Sequence, residues 1–89
     1  MKKNFKIMGN TLKNIAKNIV LEYMYMEPLC QKKANGIKQA ELFRNCGFDW
    51  GDYENATSSN QQYWIVALLR ELEKGDKIVR LENKHWRLV

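Results

Sequence analysis

The sequence predicts an α+β fold that is mainly α, with three helices followed by a C-terminal β-hairpin. Apolar residues recur at three- and four-residue spacing in three separate stretches, which is the helical period. The third stretch stops at Gly75, and two short alternating runs joined by a polar turn follow it, KIVRL and HWRLV. With 89 residues and 45% hydrophobic content, the chain can bury one modest core. We therefore expect one domain over residues 10–89, preceded by a basic N-terminal arm at residues 1–9.

The arm, residues 1–9, is predicted to be either frayed or a short edge strand. The first helix is predicted to begin at Asn10 or Thr11, which can cap it, and to end at Glu27 because Pro28 follows. Its predicted core face is Leu12, Ile15, Ala16, Ile19, Val20, Tyr23, Met24 and Met26. The opposite face is predicted to be solvated and comprises Lys13, Asn14, Lys17, Asn18 and Leu21. The exposed side of this helix, with Leu21 and Tyr25, is a candidate surface for a homodimer.

The second helix is predicted over Ile37–Cys46, after a loop that turns at Asn35-Gly36. Gly47 stands where the residue past a helix C-terminus is expected. An acidic loop then follows, with the sequence FDWGDYEN. Its three carboxylates lack the order of a calcium-binding loop, so we expect Phe48, with Trp50 or Tyr53, to anchor the loop on the core.

The third helix has three capping candidates, Thr57, Ser58 and Ser59. Its core stripe is predicted to be Ile65, Leu68, Leu69 and Leu72. The predicted outward face is Asn60, Tyr63, Ala67, Arg70 and Lys74.

In the hairpin, the alternation predicts a core face made of Val79, Leu81, Trp86 and Leu88. A two-residue turn at Asn83-Lys84 would place Leu81 opposite Trp86. The same register would place Arg80 opposite Arg87. Because like charges directly opposite each other are unfavourable, this register would make both arginines candidate phosphate ligands.

Fifteen Lys and Arg against ten Asp and Glu give a net charge of +5, which favours polyanions or acidic surfaces as partners. The excess lies at residues 1–46, which carry +6, while residues 47–89 carry −1. Neither a secretory signal nor a transmembrane segment is predicted, so we expect a cytoplasmic protein. Cys30, Cys46 and His85 lack zinc-ligand spacing, and no metal, cofactor or enzymatic activity is expected.

The stretches GIKQAELFRNCG, NQQYWIVALLRELEKGDKIVRL and HWRL, with a brief strand near Gly36-Ile37, resemble the winged helix-turn-helix DNA-binding superfamily. Small bacterial and phage regulators and the winged-helix modules of some restriction endonucleases are particularly similar. The resemblance covers about Leu12 to Val89. It implies a protein that binds double-stranded DNA in a sequence-specific manner. Such a protein would act as a transcriptional regulator or as an accessory DNA-recognition module. The third helix would enter the major groove, and the hairpin wing would contact the backbone.

The resemblance implies which residues would contact the DNA bases, here called base readers, and which would bind the DNA backbone. The base readers would be Asn60, Gln62 and Tyr63. The backbone ligands would be Ser58, Ser59, Arg70, Arg80, Lys84, Arg87, Lys38, Lys32 and Lys33. The long acidic connection before the third helix departs from the family pattern and leaves an alternative, a protein–protein interaction module. Its contact patch would be Trp50, Tyr53, Tyr63 and Trp64, ringed by acids.

Overall fold

The computed structural model describes residues 3–48 and 63–89, with Tyr63 described by its backbone alone. In this part of the chain, three α-helices precede an antiparallel hairpin, which confirms the α+β, mainly α class. The elements are α1 (Phe5–Met26), α2 (Gln39–Asn45), α3 (Tyr63–Lys74), β1 (Ile78–Arg80) and β2 (Trp86–Leu88), with a short 3-10 turn at Pro28–Cys30. Phe48 packs against the core, as predicted for the start of the acidic loop. The predictions for the rest of that loop and for the caps Thr57, Ser58 and Ser59 lie outside the described residues.

Helix α1 begins earlier than its sequence pattern indicates. The Asn4 side chain accepts a hydrogen bond from the backbone N–H of Ile7 at 3.1 Å and caps the helix. The predicted start at Asn10 or Thr11 is therefore wrong, and residues 5–9 are helical rather than a frayed arm or a strand. Thr11 lies inside the helix, where its hydroxyl donates to the Ile7 carbonyl at 3.0 Å. The end is as predicted, with Pro28 two residues beyond Met26.

The other two helices end in the same type of turn. Gly47 follows α2 with φ 71°, as predicted. Helix α3 ends before Gly75, also as predicted, but the left-handed residue is Asp76, with φ 58°. Lys77 donates its backbone N–H to the Leu72 carbonyl at 3.0 Å, which closes the turn.

Helix α2 is shorter than the predicted Ile37–Cys46, because Ile37 belongs to a β-bridge with Trp86. The two residues exchange backbone hydrogen bonds of 2.8 and 2.9 Å. The bridge lies where the brief strand was predicted near Gly36-Ile37, but it is a single bridge rather than a strand. It also joins the start of α2 to the hairpin.

The predicted hairpin register is wrong by one residue. The turn has three residues, Glu82 to Lys84, with Lys84 at φ 69°, and Leu81 donates its N–H to the His85 carbonyl at 2.8 Å. The extra residue shifts the pairing of the strands. The observed pairs are Ile78 with Leu88, Val79 with Arg87, and Arg80 with Trp86. Arg80 therefore does not face Arg87, and Ile78 is buried where Val79 and Leu81 were expected.

The core confirms one predicted helix face and corrects another. All four residues of the α3 stripe, from Ile65 to Leu72, are buried. On α1 the buried residues are Ala16, Val20 and Met24. The predicted core residues Leu12, Ile15, Ile19 and Met26 are 67, 51, 39 and 84% exposed. The apolar arc of α1 is wider than the surface that packs against it.

The predicted solvated face of α1 is also partly wrong. Lys17 is only partly exposed and forms an ion pair with Glu71 of α3, with Nζ 3.0 Å from Oε1. Leu21 is half-buried and packs against the core. Both residues face the body of the domain, so Leu21 is not available to form the homodimer surface suggested by the sequence.

Candidate nucleic-acid interface

Trp86 connects the hairpin to the start of α2. Its backbone forms the bridge with Ile37, and its indole N–H donates to the Gln39 side-chain oxygen at 3.0 Å. Its ring is buried and lies 5.7 Å from the guanidinium carbon of Arg80. Lys38 stands between the two residues that contact Trp86, and its side chain is exposed.

Arg80 and Lys84 are close together at the turn end of the hairpin. The Arg80 Nε–H donates to the Lys84 carbonyl at 3.4 Å, and both side chains are exposed. We use the name hairpin-end cluster for Arg80 and Lys84 together with the exposed Lys38, which follows the bridge partner of Trp86 in sequence. The set comprises three of the predicted backbone ligands and draws on two parts of the chain that are far apart in sequence.

A second group lies on the outer face of the hairpin. Lys32, Lys33 and Arg87 line a shallow depression whose apolar floor includes Val79 and Val89. We call these three cations the outer cluster. Arg87 Nη1 donates to the Leu88 carbonyl at 2.8 Å, which fixes its side chain against the strand.

Gly36 allows the loop that carries Lys32 and Lys33 to lie close to β2. It has φ 80°, and an added Cβ would lie 2.8 Å from His85 Cβ and 2.9 Å from the Trp86 carbonyl oxygen. Asn83 supports the same contact by donating from its side chain to the Asn35 carbonyl at 3.0 Å. Only glycine fits this approach without strain.

The predicted phosphate-binding side chains have no carboxylate partner within residues 3–48 and 63–89. The ion pair found there joins Lys17 and Glu71. None of the cations nominated from the sequence takes part in it, namely Lys32, Lys33, Lys38, Arg70, Arg80, Lys84 and Arg87. Their charges are therefore not neutralised by neighbouring described residues.

The outward face of α3 agrees with the prediction as far as it is described. Ala67, Arg70 and Lys74 are exposed. Tyr63 begins the helix, but its side chain is not described. The other predicted base readers, Asn60 and Gln62, and the predicted ligands Ser58 and Ser59 lie outside the described residues.

The thiols are held in the neutral form. Burial raises the pKa of Cys30 to about 12, with a further contribution from the charge of Glu27. Burial also raises the pKa of Cys46 to about 11. In the described part of the chain, no three His, Cys, Asp or Glu residues come together as metal ligands. His85 has a buried Nδ1 without a hydrogen-bond partner.

The hydrogen bond between Gln39 and the Trp86 indole was not predicted from the sequence. This bond depends on a hairpin register that the sequence predicted incorrectly, and no local pattern marks it.

Among the described helices, none has the length and apolar character needed to cross a membrane. No protein-family model, curated protein or solved structure matches this chain.

Proposed function

We propose that this chain is a small sequence-specific binding protein of double-stranded DNA with a winged helix-turn-helix arrangement. The observation that carries the proposal is the connection of the hairpin. It follows α3 directly and is tied back to the start of α2 through the Ile37–Trp86 bridge. A helix, bridge, helix, helix and hairpin in this order support the proposal, because a winged helix-turn-helix has a hairpin wing beside its third helix. The protein would act as a transcriptional regulator or as an accessory DNA-recognition module.

The charges support a division of roles within this proposal. Arg70 on α3 and the hairpin-end cluster would bind phosphates, because they are exposed cations that pair with no carboxylate among residues 3–48 and 63–89. The outer cluster would contribute to the same field from the neighbouring face. Base reading would belong to Asn60, Gln62 and Tyr63 at the start of the helix, since Asn and Gln can bond adenine through two hydrogen bonds.

Fluorescence anisotropy with random-sequence duplexes at several salt concentrations tests the proposal. We expect binding that weakens with salt, because the released counterions set the slope of log K against log salt. Lys38→Gln, Lys84→Gln and Arg70→Gln should each reduce that slope by about 1 and weaken all sequences alike. Lys6→Gln, at the far end of α1, is the matched control and should leave the slope unchanged. Absence of binding to any duplex at low salt would refute the proposal.

A protein–protein interaction module is the second candidate, and the position of Trp64 favours it. The residue is 39% exposed, and its ring lies 5.5 Å from the Phe48 ring at an angle of 50°. Half-exposed tryptophans are frequent anchors at protein interfaces. Trp64→Ala should leave DNA affinity unchanged if DNA is the partner and should abolish partner binding if this surface is the functional one.

A further inference from the structure

The most unusual surface of the described chain is an apolar stripe along the N-terminal two-thirds of α1. Its residues are spaced alternately by three and four positions, as in the seam of a coiled coil. They are Phe5, Met8, Leu12, Ile15 and Ile19, with exposed fractions of 75, 53, 67, 51 and 39%. We call this set the α1 seam. A seam of this kind on an isolated helix surface is expected to be covered.

The body of the domain offers a complementary groove at one end of the seam. Phe48 and Trp64 form one wall, and Ile15 and Ile19 form the other. The groove is almost entirely apolar and has a volume of about 180 Å³. Phe5 and Met8 lie at the opposite end of the seam. Each molecule therefore carries protruding apolar side chains at one end and an apolar groove at the other.

We propose that two copies of this chain pair through their α1 seams in an antiparallel arrangement. Phe5 and Met8 of each copy would fill the groove of the other. The spacing allows this, because a two-fold axis at Leu12 places Phe5 of one copy beside Ile19 of the second. Phe5 and Ile19 are roughly 21 Å apart along the helix at 1.5 Å per residue. The contact is self-complementary, as a two-fold interface requires.

The charges beside the seam permit two identical surfaces to meet. The positions that flank it in the helical repeat are Asn4, Thr11 and Asn18 on one side and Gly9, Ala16 and Tyr23 on the other. None of these side chains is charged at neutral pH. Lys13 and Lys17 line a pocket beside Leu12, and Lys17 is paired there with Glu71. A second copy thus meets no charged side chain at the positions that flank the seam in the helical repeat.

The area is sufficient for a dimer, and the groove decides the orientation. The five seam side chains expose roughly 500 Å² per copy if each large apolar side chain offers about 150–200 Å². Two copies would bury about 1,000 Å² from these residues alone, near the lower limit of specific interfaces. An antiparallel pair also covers Phe48 and Trp64, whereas a parallel pair would leave both grooves open. Antiparallel pairing also separates Lys6 of the two copies and opposes the helix dipoles favourably.

Sedimentation velocity of the full chain over a range of concentrations tests the pairing. We expect a dimer that Leu12→Lys weakens at least about a hundredfold, because two ammonium groups would face each other in an apolar seam. Asn14→Lys adds the same charge on the opposite side of α1 and should leave the dimer intact. Leu12 is 67% exposed, so far-ultraviolet circular dichroism should show that both variants fold. A wild-type protein that stays monomeric at high micromolar concentration would overturn the proposal.

Disulfide crosslinking tests the orientation. Phe5→Cys and Ile19→Cys are made in a Cys46→Ser background, since the remaining thiol of Cys30 is buried. Mixing the two variants under mild oxidation should give a disulfide-linked heterodimer, and each variant alone should crosslink poorly. Efficient crosslinking of Phe5→Cys with itself would instead show a parallel pair and would overturn the antiparallel arrangement. Neither experiment involves DNA, so failure here leaves the proposed DNA binding to be judged separately.

Discussion

Helices α1 and α3 have apolar residues at the same helical spacing, but the structure treats them differently. The stripe on α3 is entirely buried, from Ile65 to Leu72, whereas Leu12 and Ile15 on α1 are more than half exposed. The difference arises because α3 packs against both α1 and the hairpin, whereas α1 buries only Ala16, Val20 and Met24. Periodicity therefore predicts an apolar face but not what covers it.

The largest expected effect is the difference in stability lost when a leucine of each stripe is replaced by alanine. Leu69→Ala removes a side chain that is completely buried, and we expect a loss of about 3 kcal/mol in the free energy of unfolding. Leu12→Ala removes one that is 67% exposed and should cost at most about 0.5 kcal/mol in dilute solution. Urea unfolding at several protein concentrations measures both. A cost for Leu12→Ala that grows with concentration would support the proposed dimer.

Equal losses for the two variants at the lowest concentration would break the comparison. They would show that Leu12 is covered within the monomer. The α1 seam would then be part of the core, as the sequence alone indicates.

Alanine substitutions at two glycines compare a closely packed backbone position with an open one. Gly36→Ala introduces a Cβ 2.9 Å from the Trp86 carbonyl oxygen at φ 80°, and we expect it to destabilise the fold by about 2–3 kcal/mol. Gly9→Ala, in the protruding part of α1, meets nothing within 4 Å and should stabilise the helix by about 0.5–1 kcal/mol. Thermal unfolding followed by circular dichroism measures the loss of stability in Gly36→Ala and the gain in Gly9→Ala.

If Gly36→Ala were neutral, the loop of Lys32 and Lys33 would not lie against β2 as described. The outer cluster would then lose its geometric basis. A destabilising Gly9→Ala would instead indicate that something approaches the backbone of α1 closely.

The sequence predicted elements well and their partners poorly. The α3 stripe and the turn at Gly47 follow from local periodicity and backbone chemistry, and both are confirmed. The pairing near Ile37 was implied by the resemblance, while periodicity wrongly placed Ile37 in a helix. The hairpin register depended on whether the turn had two or three residues. Both lengths suit a polar turn of this composition, so the sequence could not choose between them.

The candidate site was predictable to the same limited extent. The resemblance nominated Lys38, Arg80 and Lys84 individually, and the hairpin register that also pointed to Arg80 was wrong. Their grouping depends on the Trp86 contacts, which form between elements about fifty residues apart, as the bridge to Ile37 illustrates. The early start of α1 was missed because Asn4 caps a first turn containing Lys6, a residue that also suits a basic arm.

Thiol reactivity tests whether solvent reaches the core around Cys30. Cys30 is buried and its pKa is raised to about 12, so at pH 8 it should react with iodoacetamide far more slowly than the half-buried Cys46. Burial of the neutral thiol stabilises the fold below the ordinary thiol pKa near 9.0, and this contribution is lost as the pH rises toward 12. Mass spectrometry of labelled peptides gives both rates. Fast labelling of Cys30 in the absence of urea would indicate that this half opens readily.

The smallest effect concerns the ion pair where the two helices meet. The hydrogen bond and charge of Lys17 lower the pKa of the Glu71 carboxyl. A lowered folded-state pKa stabilises the fold above the ordinary value of 4.5, and the contribution disappears as the pH falls through the lowered pKa. Because Glu71 is exposed, the effect on stability should be small. Lys17→Gln should shift the urea midpoint slightly at pH 7 and not at all at pH 2.

Nuclear magnetic resonance titration of the Glu71 carboxyl gives the sharper measurement. Lys17→Gln should return its pKa toward 4.5, whereas Lys6→Gln, on the protruding end of α1, should leave it lowered. An unchanged pKa in Lys17→Gln would mean that α1 and α3 are not held together at this point in solution. The boundary between the packed and the exposed parts of α1 would then lie closer to Val20.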